Sequence, residues 1–555
     1  MKYIKLFLAS STVEFEQERN ELGSYIRMLN DIYAKRGIYF ELTIWNDLPE
    51  AVAKDRKQEE CDQEIRDSQY FYVLFGRDAG EDTIEEFNVA LEQFRKSGAP
   101  RIYTYFRHLP AGQSASQSVK DFMERLDQEI GHYYSTFSHL DAVKLNMLLE
   151  LTRNSDLNSN LKFEDGEAKL DGKPVLDLKN VPIYSKNDEL QKQMAGKRRL
   201  DEEFADFSVA ALKEPENEEL SSRLRKISKQ RNRLSDQIHQ MERDILNLCS
   251  KISETNASGR PLTWREKRAV QLLDAGNYRG ARAILHDPQR KKELEHDEEA
   301  DKNVQDRIRG YISETRLDIQ ILKAQGITTQ TIPELEAYYE ETVQLAEKHR
   351  IELDVLYDYA DFLWNLHRYS KGIAVAERLE KYYRLEQVSE RDQAALNNLL
   401  GLFYSNTNQF KEAEKCYQEA LEIYCKLAKQ KPEAYEGNIA VTCNNLGVLY
   451  SDTNRIKEAE EYDRKALEIL RRLAKENPEV YEEYVADTCN NLGILYHKTN
   501  QMKEAERYYQ EALEIRRRLA KENPEAYEGD VAATCNNLGT LYSDTNWTIV
   551  NKVDK

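Results

Sequence analysis

Apolar and polar positions follow two different patterns along the chain. Over residues 1–155, apolar runs fall at Ile4–Ala9, Tyr39–Trp45, Tyr70–Phe75, Ile102–Phe106 and Tyr133–Phe137. Between them, apolar residues recur every three or four positions at about 14–35, 51–67, 83–96, 117–129 and 141–153. The runs read as strands and the periodic stretches as helices. Such βα alternation predicts a parallel sheet with helices on both faces. Ligands of sheets of this kind bind at the carboxyl ends of the strands.

After residue 155 the pattern changes. Asp165-Gly166 and Asp171-Gly172 are strong hairpin signals and predict a small β-appendage within 161–184. From Asp188 to about Asn256 the chain turns helical and highly charged. Leu220, Leu224, Ile227, Leu234, Ile238, Met241 and Ile245 are spaced for a long helical hairpin or a short coiled coil. A strut packed on the C-terminal half of the chain and a dimer seam both fit that pattern.

The C-terminal half repeats itself. Asn-Asn-Leu-Leu-Gly ending at Gly401 and Asn-Asn-Leu-Gly ending at 447, 493 and 539 place glycines at a period of 46 residues. Each unit reads as two helices, the first carrying L-G-x-L-Y and the second K-E-A-E-x-x-Y-x-x-A-L-E-I. Ala459, Tyr462, Ala466 and Ile469 share one helical face. Gly447 and Ala459 are expected where two helices cross closely. Thr453-Asn454 is expected to turn between them, since Asn tolerates a left-handed backbone. This grammar resembles the tetratricopeptide repeat, in the longer-period form of kinesin light chain-like arrays. It is clear over roughly 390–546, and weaker units at Leu272–Leu285 and Tyr357–Leu385 extend it to about 262.

The resemblance implies an α-solenoid with an extended concave binding surface lined by first helices. Asn444, Asn445, Asn490, Asn491, Asn536 and Asn537 lie on those helices. Such asparagines either contact the backbone of a bound protein or peptide or cross-link neighbouring helices. Cys443, Cys489 and Cys535 are copies of one repeat position and read as small core residues rather than metal ligands. After Asn546 the expected second helix gives way to Trp547–Lys555, so the last first-helix is expected to lack its partner and to end frayed or docked on another chain.

Composition narrows the function classes. With 22 glycines and 12 prolines, helix breakers are scarce. No run approaches the roughly 18 apolar residues of a membrane span, and the first residues lack a signal-peptide pattern. Seven cysteines give neither a disulfide framework nor zinc-ligand spacing, so a cytoplasmic setting is expected and no metal. The net charge of -19 is spread evenly: residues 1–155 hold 19 Lys+Arg against 26 Asp+Glu, and residues 401–555 hold 21 against 27. That distribution disfavours nucleic acid and anionic membrane as partners.

The candidate chemistry lies in the first 155 residues. Strand one ends in Ser10-Ser11-Thr12 with Glu18-Arg19 beyond, strand two in Trp45-Asn46-Asp47, and strand three in Gly76-Arg77-Asp78 before Thr83-Ile84-Glu85-Glu86-Phe87. No dinucleotide or phosphate-loop glycine motif is present. The strand-S-S-T-x5-E-R opening, Asp67-Ser68 and the x-E-E-F-x-x-A-L helix resemble TIR-like modules of bacterial multidomain proteins. The resemblance implies a flavodoxin-like parallel sheet and, where such modules are enzymes, cleavage of NAD at the nicotinamide–ribose bond.

In that case a glutamate on the helix after strand three stabilises an oxocarbenium-like state. It corresponds to Glu86, with Glu85 as the fallback. Ser10, Ser11 and Thr12 would line the pocket, Trp45 would stack on a ring and Arg77 would meet the pyrophosphate. NAD would be substrate, with no resident cofactor, and activation would proceed through homo-oligomers. A structural reading stands beside this one. The Glu81–Glu86 acids favour the helix dipole, and Ser10–Thr12 cap the helix starting near Glu14, with Glu14 or Glu16 completing a capping box.

The expected organisation is an α/β TIR-like domain over 1–155, an all-α connector with a β-appendage over 156–261, a tetratricopeptide-repeat solenoid over 262–546 and a divergent tail over 547–555. The expected role is a bacterial defence-type effector whose array senses a partner and whose first module cleaves NAD. The alternative is a non-enzymatic adaptor that self-associates.

Overall fold

The computed structural model describes every residue except 1, 12–13, 45–53, 110–111, 127–133, 154–159, 214–216, 258–261, 291–303, 386–387, 523 and 554–555. The chain opens with β1 (Lys2–Ser10), α1 (Glu16–Tyr33), β2 (Ile38–Ile44), α2 (Lys54–Asp67), β3 (Tyr70–Phe75), α3 (Glu81–Ser97), β4 (Arg101–Arg107), α4 (Gln117–Arg125), β5 (Tyr134–Phe137) and α5 (Leu140–Thr152). The five strands form one sheet in the order β2-β1-β3-β4-β5, and every neighbouring pair is parallel. This is the flavodoxin-like order, whose strand sequence reverses between β1 and β3.

Side-chain alternation along β1 feeds two cores. Ile4, Leu6 and Leu8 pack with Leu22, Ile26 and Leu29 of α1 and with Leu148 of α5. Phe7 and Ala9 pack with Cys61 and Ile65 of α2, Phe87 and Ala90 of α3 and Phe122 of α4. The central strand β3 is buried at all six positions, as a strand covered on both faces must be. At the β2 edge, the Asn30 amide donates to the Phe40 carbonyl (2.9 Å) and accepts from its N–H (2.7 Å).

The predicted appendage is present: β6 (Leu161–Glu164), β7 (Glu167–Leu170) and β8 (Lys173–Asp177) form an antiparallel sheet. Its turns place Asp165, Gly166, Asp171 and Gly172 at φ 53°, 86°, 51° and 74°, the paired left-handed residues of a tight hairpin. Beyond it come α6 (Pro182–Ser185), α7 (Asp188–Lys213), α8 (Glu218–Ala257), α9 (Trp264–Asp274), α10 (Tyr278–Leu285) and α11 (Val304–Ala324). The charged stretch is a helical hairpin, with Arg231 bonded to Asp201 (2.7 Å) and Arg223 to Glu203 (3.3 Å) across its two arms.

The chain divides into two compact units, 1–195 with 238–335 and 196–237 with 336–555. These units cut across the expected boundaries at 155 and 261. The appendage, the far half of α8 and the α9–α10 pair share the core of α1 and α5, through Phe163, Leu170, Ile245, Leu248, Ala269 and Leu273. The carboxyl of Asp274 is held by Ser135 and the Thr136 backbone on β5. The helix pair at 264–285 therefore folds with the sheet.

The remaining helices are α12 (Ile332–His349), α13 (Val355–Asn365), α14 (Tyr369–Leu385), α15 (Glu390–Asn406), α16 (Phe410–Ala428), α17 (Pro432–Asp452), α18 (Ile456–Glu476), α19 (Pro478–Lys498), α20 (Met502–Glu522) and α21 (Pro524–Val553). The expected turns are realised, with Asn408, Asn454 and Asn500 at φ 60°, 58° and 60°. A Cβ on Gly401 would lie 2.5 Å from Tyr417, one on Gly493 2.5 Å from Tyr509, and one on Gly447 1.8 Å from Asp463. The repeat glycines thus mark close helix crossings.

A second recurring tie joins successive units. The hydroxyls of Tyr404, Tyr450 and Tyr496 donate to Glu377, Glu414 and Glu460 of the preceding second helix. The final helix α21 departs from the pattern. It runs through Asn546 to Val553 instead of turning. Gly539 meets nothing within 4 Å, and Cys535 is exposed where Cys443 and Cys489 are buried.

Candidate functional site

The carboxyl ends of β1 and β3 lie side by side, and their loops lead to helices on opposite faces of the sheet. In the first loop the Ser11 hydroxyl accepts from the Glu14 N–H (3.3 Å), a bond within the loop rather than a helix cap, since Phe15 stands at the N-cap of α1 without a side-chain bond. The Ser11 carbonyl accepts from the buried Arg19 guanidinium (2.6 Å). Glu14 does not close a capping box. Its carboxylate crosses to the second loop, where it accepts from the Arg77 backbone N–H (2.8 Å) and lies over Gly76.

Ser10 follows Leu8 on the α1 side of the sheet by strand alternation, and its hydroxyl oxygen is buried without a hydrogen-bond partner. The Arg77 side chain is exposed. Thr12 and Trp45 lie outside the described residues.

Glu86 belongs to the opposite face. It is 5% exposed on α3 and accepts from the Cys61 thiol of α2 (3.7 Å). Burial pushes its carboxyl up to about 8, and the nearby acids Asp82, Asp62 and Glu85 add to the rise while the Cys61 bond opposes it. The carboxyl is therefore mostly protonated at neutral pH. Glu85 is exposed. The structure thus brings Ser11 and Arg77 to one edge and sets Ser10 and Glu86 on different sides of the sheet.

Cys61 and Arg107 carry no signal in the sequence, and nothing in it joins Glu14 to Gly76. Arg107, at the end of β4, pairs with Glu18 and lies over the Phe15 ring at 4.2 Å. No group of three or more His, Cys, Asp or Glu among the described residues is placed to hold a metal ion.

In the array, the first helices α15, α17, α19 and α21 stand side by side, joined by their amides. Asn398 donates to Thr442 (2.9 Å). Thr488 (3.2 Å) and Asn491 (3.1 Å) donate to Asn444, and Asn537 donates to Asn490 (3.0 Å). The cross-linking role is thus realised for Asn444, Asn490, Asn491 and Asn537. Asn445 makes no such bond among the described residues, and Asn536 is exposed on the last helix. Beside this ladder, Val441 and Val448 are 38% and 37% exposed. Leu402 and Ile494, half-buried, occupy the position of Val448 one period before and after it.

Residues 392–472 and 485–525 match the tetratricopeptide repeat family. No curated protein matches the chain. Among solved structures, BtubC (BKLC) from P. vanneervenii is 21% identical over 46% of this chain and 92% of its own, with a TM-score of 0.35. The Rap conjugation gene regulator of the plasmid pLS20, in complex with the Phr* peptide, is 15% identical over 48% of this chain and 74% of its own, with a TM-score of 0.30. A STAND protein with a tetratricopeptide repeat sensor from Pyrococcus horikoshii is 11% identical over 100% and 95%, with a TM-score of 0.36. At these scores the resemblances add nothing to what this chain's own residues say. Among the described residues no helix is long and apolar enough to cross a membrane.

Proposed function

We propose that the protein is a repeat-based sensor that takes up a protein or peptide along its first helices. The observation that carries this reading is one apolar position on successive, laterally joined first helices, with Val448 exposed and Leu402 and Ile494 half-buried beside the asparagine ladder. Single exposed apolar residues are ordinary, but an apolar position repeated on three successive first helices suits an interaction surface. Peptides selected for binding from a random library should bind at least tenfold more weakly to a Val448→Glu/Ile494→Glu variant that melts like the parent. Equal binding to both would end the reading.

For the N-terminal module we propose a TIR-like effector of bacterial defence that cleaves NAD in the cytoplasm once copies are brought together, with Glu86 as its carboxylate. Support comes from the flavodoxin-like strand order and from a buried, perturbed carboxyl on the helix after strand three, a combination enriched at functional sites. The rival reading is a non-enzymatic adaptor, and the burial of Glu86 beside Cys61 on the face away from Ser10 favours it. Nicotinamide release from NAD, measured with and without forced oligomerisation, separates the two. The enzyme reading requires release that Glu86→Gln abolishes and Glu85→Gln retains, and the adaptor reading requires none.

A further inference from the structure

The two loops that meet where the strand order reverses are bridged by a single carboxylate. In sheets of this order, the crevice at that point is where ligands enter. Here Glu14 of the β1–α1 loop fills it. The carboxylate accepts from the Arg77 N–H at 2.8 Å, and its three carboxyl atoms lie 1.9 to 2.6 Å from where a Cβ on Gly76 would stand. Gly76 is thus a cradle shaped to admit an anionic group against the backbone. The Arg77 guanidinium is exposed beside it, and the Ser10 hydroxyl, at the end of the neighbouring strand, is buried without a partner.

We infer that the Gly76–Arg77 peptide is a subsite for a phosphate group of a small-molecule ligand, held shut by Glu14 acting as an internal stand-in for that anion. A phosphate oxygen makes the same charge-assisted bond to a backbone N–H that the carboxylate makes, and the exposed guanidinium suits the remaining oxygens. Binding requires Glu14 to leave, so ligand and side chain compete for one donor. Apparent affinity is lowered by the fraction of time the carboxylate occupies the cradle. The choice of a pyrophosphate-bearing nucleotide as ligand rests on the proposed reading of this module; the competition itself does not.

The test uses the full chain and inorganic pyrophosphate and ADP-ribose as probes, with binding measured by calorimetry. Glu14→Gln removes the competing charge and Glu14→Ala removes the occupant. Both are expected to tighten binding, the alanine variant by about tenfold, the scale of one charge-assisted hydrogen bond. Adding Gly76→Val to Glu14→Ala should abolish the gain by filling the cradle. Folded Glu14 variants that bind no more tightly than the parent would overturn the inference and leave Glu14 a tie between loops. If the alanine variant does not fold, the glutamine variant decides alone. Tightened binding without nicotinamide release would keep the subsite and refute the enzyme reading.

Discussion

One side chain departs from the repeat and can be read in isolation. Tyr417 and Tyr509 fill the gap opposite Gly401 and Gly493, and Asp463 stands one period from each, opposite Gly447. It is 1% exposed, and its Oδ1 is buried without a hydrogen-bond partner. Burial alone pushes the carboxyl up from 3.8 to about 8. Between those two values the folded state holds a proton that the unfolded state has released, so stability falls as pH rises. The loss is about 1.4 kcal/mol per pH unit for one such group. Asp463→Asn should therefore gain stability over the parent as pH goes from 5 to 8, seen as a difference between their array melting temperatures that widens with pH. An unchanged difference would mean that the carboxyl is not isolated. Asp463→Tyr, which restores the neighbouring copies' residue, should stabilise at both pH values.

The same proton bookkeeping bears on Glu86. A carboxyl that ionises only near pH 8 cannot serve as a full carboxylate at neutral pH. If the module cleaves NAD through Glu86, initial rates of nicotinamide release should climb as pH passes from 7 to 9. A rate already flat from pH 6 would place the chemistry on another group.

At the scale of elements, the period was legible because it is written in the residues that packing punishes most. Glycine at 401, 447 and 493 lies where a Cβ would collide with the neighbouring helix, and asparagine at 408, 454 and 500 lies where the backbone turns left-handed. The partners of the asparagine ladder were not legible, since an amide that joins two helices and one that meets a ligand use the same donors and acceptors. In the fourth copy Gly539 has nothing within 4 Å among the described residues. The two glycines should therefore answer one substitution with opposite signs. Gly493→Ala drives a methyl against the buried Tyr509 ring and should cost about 1–3 kcal/mol. Gly539→Ala meets no neighbour and should stabilise by up to about 1 kcal/mol through helix propensity. Chemical denaturation of the two variants checks both, and a comparable loss in each would mean that the face of α21 is covered.

At the scale of the whole molecule, the continuation of one core past residue 155 has a readable cause. Helix α5 carries Leu140, Val143, Leu145, Met147, Leu148, Leu149 and Leu151, all buried and distributed around its circumference. A surface helix needs only one apolar stripe; one apolar all round must be covered on every side. The sheet covers part of α5, and the rest is closed by segments beyond 155: Phe163, Leu170 and Leu178 from the appendage and its exit, and Ile245, Leu248 and Leu273 from α8 and α9 share its core. Polar contacts take the same route. Glu150, on α5, accepts from Tyr103 of β4 (2.5 Å), from Arg153 (2.5 Å) and from Ser253 of α8. Removing α8 would leave part of that carboxylate's bonding unmet in an apolar core, a heavy cost. A fragment ending at 155 should therefore expose a broad apolar face, bind a hydrophobic dye and associate on size exclusion. A fragment ending at 335 should be monomeric and show cooperative loss of structure on heating. A cooperative, monomeric 1–155 fragment would mean that the sheet completes its own core and that the later helices merely lean on it.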